Sequence, residues 1–257
     1  MPVITLTTDW GTTDYFVGAI KGEILTACSD AAIIDISHSI MAHDLVSGAF
    51  IFKNAWHHFP KGTVHVCAVS GTTDSPSPLI AAQHQGHFFI GVDNGFFSLV
   101  MDGFPEEAYF ILDAKGQKVM PNSVILASSA AYLTKGGKIA DMGEKMSEWV
   151  EKSMLQAVTE ESTIRGSAIY FDSYGNVVTN IEKALFERIG RGRRFEIILR
   201  SRQYTITEIS QDYHDVSRGN LLAFYNEAGF LEVAISHGKA ASLLGIKYAD
   251  TIRVEFK

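Results

Sequence analysis

Two polar stretches in the first half of the chain follow apolar runs at the points where the predicted strands end. The run Val3–Thr8 is followed by Asp9, and the run Val64–Val69 passes into a polar loop that begins at Ser70 and includes Asp74. Ligands of open α/β sheets collect in the crevice beyond the carboxyl ends of the strands. A carboxylate in that crevice can accept several hydrogen bonds from a ligand. We therefore predict that Asp9 belongs to a binding site, the alternative being that it only shapes a turn or caps the next helix.

The usual motifs for metal and phosphate chemistry are missing from the sequence. The nine histidines form no HxH or HExxH pattern, and the two cysteines, Cys28 and Cys67, have no metal-ligand spacing and make no disulfide framework. There is also no glycine-rich phosphate loop and no serine nucleophile elbow. We therefore expect neither a metal nor a cofactor.

The composition narrows the class of protein and its partners. The 257 residues include 22 Lys plus Arg against 29 Asp plus Glu, which gives a formal charge of −7. Counterion release on nucleic acid requires clustered cations, so this acidic balance argues against a nucleic-acid partner. No apolar run approaches the roughly 18 residues that a membrane span requires, and the start of the chain lacks the pattern of a signal peptide. We expect a cytoplasmic protein without a membrane partner.

Strand and helix signals alternate through the first half of the chain, which predicts an α/β domain with a mainly parallel sheet over residues 1–145. In its first helix the small residues Gly18, Ala19 and Gly22 predict close packing on the sheet. Residues 146–162 are polar and weakly periodic, and we interpret them as a linker. The strand candidates that follow are separated by turn-forming residues, which indicates a C-terminal antiparallel β-barrel domain over residues 163–257.

Several motifs, taken in order, carry a resemblance to a known family. In the first half they are the opening stretch 4–22, the motif Asp35-Ile36-Ser37-His38 and the segment 59–66. In the second half they are the segment 172–181, which begins Asp-Ser-Tyr-Gly-Asn, and further segments between residues 213 and 245. Together they resemble the S-adenosyl-L-methionine (SAM) hydroxide adenosyltransferase family, which also includes the nucleophilic fluorinase and chlorinase.

The resemblance implies a fold, an assembly and a ligand. The fold is an N-terminal α/β domain followed by a C-terminal β-barrel. The assembly is a homotrimer that binds SAM or adenosine between the N-terminal domain of one subunit and the C-terminal domain of its neighbour. The substrate-binding residues implied by the matching positions are Asp9, Asp172, Tyr174, Asn176, Tyr213 and Glu227.

Four of these positions have specific roles implied by the resemblance. Asp9 would hold the ribose hydroxyls, and Asp172 would face the methionine amino group. Asn176 would contact the adenine edge, and Tyr213 would stack on the adenine ring. Glu227 occupies a position where a polar serine is usual.

The residues that serve the attacking water in the family's hydrolases are replaced in this sequence. Ser70, Ser77 and Pro121 stand where those enzymes have an aspartate, an arginine and a histidine. A serine is not a base without a partner, and proline has no side-chain donor. His43 stands where the halogenases have a pocket tryptophan.

Three functions are therefore compatible with the sequence. The first is a SAM hydrolase that forms adenosine and L-methionine, with His43, or Asp74 together with Ser70, serving the water. The second is a protein that binds adenosine or SAM without turnover. The third is turnover of another adenosyl substrate, or transfer of the adenosyl group to another nucleophile such as a halide. We adopt the hydrolase as the working interpretation.

Overall fold

The computed structural model describes residues 1–70, 77–111, 122–200 and 203–257. Contacts between Cα atoms divide the chain into two compact units, residues 1–153 and 154–257. The candidate Asp74 and the position of Pro121 lie outside the described residues. None of the described helices is long and apolar enough to cross a membrane.

The first unit contains a six-stranded sheet with helices against it. Its described strands are Val3–Thr8 (β1), Ala32–Ser37 (β2), Val64–Ala68 (β3), Leu79–His84 (β4), His87–Val92 (β5) and Glu107–Phe110 (β6). Its described α-helices are Phe16–Ala27 (α1), Leu45–Lys53 (α2), Phe96–Val100 (α3) and Asn122–Thr134 (α4). The strand order is β2-β1-β3-β5-β4-β6, in which β4 runs in the direction opposite to the other five strands. The predicted α/β fold with a mainly parallel sheet is confirmed.

Helix α1 packs on the sheet through large apolar side chains and not through its small ones. Its buried residues are Val17, Ile20 and Ile24. Gly18, Ala19 and Gly22 are exposed, and a Cβ at either glycine would meet nothing within 4 Å. The prediction of close packing through these small residues was therefore wrong. The helix begins at Phe16 without a side-chain hydrogen bond at its N-cap, so Asp9 does not cap it.

Successive side chains of β1 point to opposite faces of the sheet, and both faces of a parallel sheet are covered. Ile4 and Leu6 lie in the hydrophobic cluster that includes side chains of α1 and α4. On the other face the buried Thr5 hydroxyl lies 2.7 Å from Nδ1 of His65, whose Nε2 lies 3.1 Å from Nδ1 of His87. Strand β1 therefore has a buried hydrogen-bonded pair on one face. Its carboxyl end, which Asp9 follows, lies where the carboxyl ends of the parallel strands meet.

The second unit is a nearly closed antiparallel β-barrel, as predicted. Its described strands are Val158–Glu160 (β7), Thr163–Phe171 (β8), Val177–Glu182 (β9), Phe195–Ile198 (β10), Thr205–Ile206 (β11), Leu221–Tyr225 (β12), Phe230–Ile235 (β13) and Thr251–Phe256 (β14). Two short helices, Lys183–Gly190 (α5) and Ala240–Leu244 (α6), accompany them. The strand order is β11-β10-β14-β8-β9-β13-β12, with β7 paired to β8. The β8–β9 turn carries Asp172 and Asn176, and strand β13 carries Glu232.

Candidate ligand-binding site

Three sequence-predicted residues meet at the carboxyl edge of the sheet in the first unit. Oδ2 of Asp9 accepts the backbone N–H groups of both His43 and Ser70, each at 2.9 Å. Nδ1 of His43 lies 3.2 Å from the hydroxyl oxygen of Ser70. Both residues have left-handed backbones, with φ of 68° at His43 and 53° at Ser70. A non-glycine residue costs energy in that region, so charge-assisted bonds to Asp9 help to hold both loops in place.

The peptide that joins Val69 to Ser70 is held at both of its polar ends. Its N–H is donated to Asp9, and its carbonyl oxygen accepts Nδ2 of Asn94 at 3.0 Å. Asn94 follows β5, so the two holding side chains come from the ends of different strands. Its own Oδ1 accepts the N–H of Phe96 at 3.1 Å, which fixes the amide with Nδ2 toward Val69. Ser70 is therefore positioned by the carboxyl edge of the sheet and not by its own loop alone.

The motif that ends in His38 is folded against the opening stretch. Nδ1 of the buried His38 ring lies 2.8 Å from the hydroxyl oxygen of Thr8. The backbone carbonyl oxygen of His38 accepts the N–H of Gly11 at 2.8 Å. These bonds flank Asp9 on both sides in the chain. Two segments that the sequence analysis treated as separate motifs therefore form one support for the Asp9 carboxylate.

In the second unit Asp172 organises the turn between β8 and β9. Its Oδ1 accepts the backbone N–H groups of Tyr174 at 3.0 Å and of Asn176 at 2.8 Å, and its Oδ2 accepts Nδ2 of Asn176 at 2.9 Å. Gly175 has φ of 80°, and a Cβ there would lie 2.8 Å from Cβ of Lys239. The turn therefore requires glycine at this position for its backbone conformation and for its close approach to the segment before α6.

A buried hydrogen-bond network extends from this turn to strand β13. Nδ2 of Asn176 also donates to the hydroxyl of Tyr213 at 2.7 Å. That hydroxyl donates to Oε1 of Glu232 at 3.3 Å, and Oε2 of Glu232 accepts Nδ2 of Asn226 at 3.0 Å. Asn176 and Glu232 are buried, whereas 39% of the Tyr213 side chain is exposed and its ring packs against Phe224. A half-exposed ring above buried polar groups is suited to stacking on a flat ligand.

Burial changes the acidity of two groups in this network. It raises the pKa of the Glu232 carboxyl above its ordinary value, and the nearby charge of Asp172 acts in the same direction against the hydrogen bond from Asn226. Burial also raises the pKa of the Tyr213 hydroxyl, with the carboxylates of Glu232 and Asp172 adding to the effect. Tyr213 therefore stays protonated and serves as a hydrogen-bond donor toward Glu232.

A cavity of about 620 Å³ opens beside the network. Its lining includes Tyr174, Asn176, Tyr213, His214, His237 and Lys239. A cavity of this size, with apolar walls and a few polar groups, is typical of a site for a small molecule. Among the described residues, no group of three or more His, Cys, Asp or Glu side chains is placed to hold a metal ion.

The structure groups most of the predicted site residues and adds others. Asp172, Asn176 and Tyr213 share one hydrogen-bond network, and Tyr174, Asn176 and Tyr213 line the cavity. Glu227 is exposed in the turn between β12 and β13 and does not line that cavity. Glu232 was not among the residues predicted for the site. Its signal was a glutamate inside the apolar strand Phe230–Ile235, since a charge at a buried strand position needs partners.

Comparison with known proteins places the chain in a family. Residues 4–143 match the SAM hydroxide adenosyltransferase N-terminal domain, and residues 166–253 match the C-terminal domain of the same family. The chain belongs to the SAM hydroxide adenosyltransferase family. The Asp9 cluster lies within the first matched region, and the network of Asp172, Asn176 and Glu232 lies within the second.

Individual members of the family resemble the chain over nearly its whole length. The (R)-S-adenosyl-L-methionine hydrolase of Methanocaldococcus jannaschii is 29% identical, over 99% of this chain and 96% of the relative. A fluorinase of Actinopolyspora mzabensis is 23% identical, over 98% of this chain and 97% of the relative. A crystal structure of an uncharacterized conserved protein from Thermotoga maritima superposes with a TM-score of 0.85 at 27% identity, over 98% and 99% of the two chains.

Proposed function

We propose that this chain is a SAM hydrolase that forms adenosine and L-methionine, with His43 and Ser70 serving the attacking water. The observation that carries this proposal is the 3.2 Å approach of His43 Nδ1 to Ser70 Oγ beside the Asp9 carboxylate. Similarity to hydrolases of this family, at 29% identity in the Methanocaldococcus jannaschii enzyme, supports the same reaction.

The reaction makes its main demand on the nucleophile. The water oxygen forms a bond to the 5′ carbon of the ribose, and the bond from that carbon to sulfur breaks with both electrons on sulfur. Methionine leaves as a neutral thioether, so no acid is required for the leaving group. Bulk water has a pKa of about 15.7, so its proton must be accepted by a base in the site. We assign that base to His43, with Nδ1–H donated to Ser70 and Nε2 accepting the proton.

The remaining candidates hold the substrate. Oδ2 of Asp9 is occupied by two backbone N–H groups, while Oδ1 has no hydrogen bond to the part of the chain that the structure describes. We assign Oδ1 to the ribose hydroxyls. Asn176 and Tyr213 then contact the adenine, and Asp172 is kept as the predicted contact of the methionine amino group. Tyr174 and Glu227 are kept as predicted substrate contacts without an assigned part of the ligand.

A homotrimer is part of the same proposal, since the family resemblance implies a ligand shared between neighbouring subunits. Sedimentation-equilibrium ultracentrifugation of the purified protein measures this directly. A mass three times that of the chain supports the assembly, and a monomer at micromolar concentration contradicts it.

The test of activity is incubation of the purified protein with SAM, with and without chloride or fluoride, followed by chromatography for adenosine. We expect adenosine without halide, and a loss of about 100-fold in the His43→Ala variant, as for removal of a general base. His58→Ala, an exposed histidine in the same unit, is the matched control and keeps full activity. A halide-dependent product instead of adenosine would indicate adenosyl transfer to halide. Binding of SAM without any product would indicate a protein that binds without turnover.

A further inference from the structure

The pairing of strands β1 and β2 shifts its register just before both strands end. Leu6 is paired with Asp35, whereas the next residue of β1, Thr7, is paired with Ser37. The isoleucine between Asp35 and Ser37 is therefore an extra residue on β2. An extra residue in a strand re-aims the side chains that follow it, and such irregularities are common beside functional sites. Here the residue that follows β2, His38, is brought against the end of β1.

Both ring nitrogens of His38 face side-chain oxygens, and only 3% of its side chain is exposed. Nδ1 lies 2.8 Å from the hydroxyl oxygen of Thr8, and Nε2 lies 3.1 Å from Oδ1 of Asp35. The other oxygen of Asp35 accepts Nζ of Lys21 at 2.6 Å. A carboxylate can only accept, so we assign the ring proton to Nε2. Nδ1 is then the acceptor for the hydroxyl proton of Thr8.

The hydroxyl of Thr8 extends this chain of contacts past Asp9. With its proton given to His38, the Thr8 oxygen is free to accept, and it receives the backbone N–H of Trp10 at 3.3 Å. The backbone carbonyl oxygen of His38 accepts the N–H of Gly11 at 2.8 Å. The backbone on both sides of Asp9 is therefore held by His38, either directly or through Thr8.

The carboxylate of Asp9 requires this second support, because its bonds to the loops fix one atom only. The N–H groups of His43 and Ser70 both bind Oδ2. A carboxylate held at a single oxygen can still pivot about that oxygen. The direction of Oδ1 then depends on the position of the Asp9 backbone, from which the side chain departs. Thr8 and His38 hold that backbone.

We infer that Thr8 and His38 are positioning residues, which direct Oδ1 of Asp9 toward the ribose hydroxyls, and that Asp35 orients the His38 ring from the protein surface. These roles rest on the proposed function, which assigns Oδ1 of Asp9 to the ribose. Thr8 and His38 are buried, with 0% and 5% of their surface exposed, so they act through Asp9 and not by touching the ligand. Asp35 is exposed.

Replacement of Thr8 by valine tests the chain at its central atom. Valine keeps the branched shape of the side chain but removes the hydroxyl that joins His38 to Trp10. We expect the affinity for adenosine to fall about tenfold, because a displaced group loses much of its interaction with a ligand. Thr8→Ser keeps the hydroxyl, and its affinity should stay within about threefold of wild type. Isothermal titration calorimetry of the purified full chain gives both values.

The same strand provides a matched control, Thr5→Val. Thr5 is also fully buried, and its hydroxyl lies 2.7 Å from Nδ1 of another histidine, His65, on the opposite face of the sheet. Thr5→Val therefore loses a bond of the same kind away from Asp9. We expect it to lower the melting temperature, as Thr8→Val does, and to leave the affinity for adenosine unchanged.

A second ligand, 2′-deoxyadenosine, distinguishes positioning of Asp9 from general loosening of the site. It lacks one of the hydroxyls assigned to Asp9, so wild-type protein should bind it at least about tenfold more weakly than adenosine. In Thr8→Val this preference for adenosine should shrink to about threefold or less, because Asp9 no longer faces the ribose correctly. General loosening lowers both affinities by the same factor and keeps the preference.

Two variants of His38 provide the test if Thr8→Val does not fold. His38→Asn keeps an acceptor near the place of Nδ1, on the side of Thr8. His38→Gln instead reaches toward Asp35 with its amide nitrogen and loses the acceptor for Thr8. We expect His38→Asn to bind adenosine at least about threefold more tightly than His38→Gln. Equal affinities contradict a role that is exerted through Thr8.

The outcomes separate the positioning role from the proposed function. Wild-type affinity for adenosine in Thr8→Val, or an equal loss in Thr5→Val, overturns the positioning role and leaves the ribose site intact. If wild-type protein binds adenosine and 2′-deoxyadenosine equally well, the assignment of Asp9 to the ribose is wrong, and the positioning role fails with it. If wild-type protein binds neither, the proposed adenosine site itself is wrong.

Discussion

The carboxylate of Asp9 accepts the backbone N–H of Ser70 at 2.9 Å, although 61 residues separate the two in the chain. The same oxygen accepts the N–H of His43, which is 34 residues away. Asp9 therefore supports two loops with one oxygen, and the proposed function assigns its other oxygen to the ribose hydroxyls. These two tasks can be separated by mutation.

Replacement of Asp9 by asparagine and by alanine should give different results. In Asp9→Asn the amide oxygen can still accept both loop N–H groups, but a donor replaces the acceptor assigned to the ribose. We expect adenosine affinity to fall about 10- to 100-fold, with little change in melting temperature, since a lost bond to a charged group costs about 1.5–3 kcal/mol. Asp9→Ala should lower both the adenosine affinity and the melting temperature.

Calorimetry and thermal unfolding measured on the same preparations check this. Asp14→Asn, an exposed aspartate in the same opening stretch, is the control and should change neither quantity. Full adenosine affinity in Asp9→Asn would show that Asp9 is only a support for the loops.

The side chain of Asn94 should matter for turnover more than for binding. It holds the Val69 carbonyl and so positions Ser70, without being assigned to the ligand. We expect Asn94→Ala to lower kcat for adenosine formation about tenfold or more, because small displacements of catalytic groups are costly, while KM changes little. Steady-state kinetics give the two constants.

The matched control for Asn94 is Asn54→Ala. Asn54 donates Nδ2 to the carbonyl oxygen of Phe50 at 2.8 Å at the end of α2, a bond of the same kind. If both variants lose the same activity, general destabilisation and not the position of Ser70 is the cause.

The buried histidine pair should make the first unit sensitive to acid. Burial, with the neighbouring His87 acting in the same direction, lowers the pKa of His65 to about 3, and burial also lowers the pKa of His87, near Lys61 and His84. The unfolded chain therefore binds more protons than the folded one as the pH falls below about 6.5. This contribution to stability is complete above pH 6.5 and is lost as the pH falls toward 3, by at most about 1.4 kcal/mol per pH unit for each proton.

Melting temperatures measured from pH 7.5 to pH 4.5 check this effect. In His65→Gln, which cannot titrate, the decline in melting temperature with acid should be shallower than in wild type. His58→Gln, at an exposed position, should leave the wild-type slope unchanged. An equal slope in all three proteins would mean that the buried pair does not control the acid response.

Much of the candidate site was accessible from the sequence because its residues lie in local motifs. Asp172 and Asn176 belong to one turn, whose two backbone N–H bonds to Asp172 involve residues only two and four positions away. Asp9 was suggested by its place after an apolar strand. Contacts between residues so close in the chain can be predicted from sequence motifs alone.

The hydrogen-bond partners that hold these residues in place could not be predicted from the sequence. Asn94 follows β5 and Glu232 lies within β13, both far along the chain from the residues they contact, and no spacing rule connects them with Val69 or Tyr213. The close packing expected of Gly18 and its neighbours failed for a related reason. Which face of α1 meets the sheet is decided by the burial of its large apolar side chains, and the small residues are left exposed.

The sequence by itself determined the two-part architecture, the family and the turn of Asp172, because periodicity and local motifs are sufficient for them. Only the tertiary structure decided that one oxygen of Asp9 joins the loops of His43 and Ser70, and that buried Glu232 shares a hydrogen-bond network with Tyr213 and Asn176. Both arrangements depend on hydrogen bonds between groups that strand pairing and barrel closure bring together. The direction of those bonds is set by fixed backbone donors, and that geometry exists only in the folded chain.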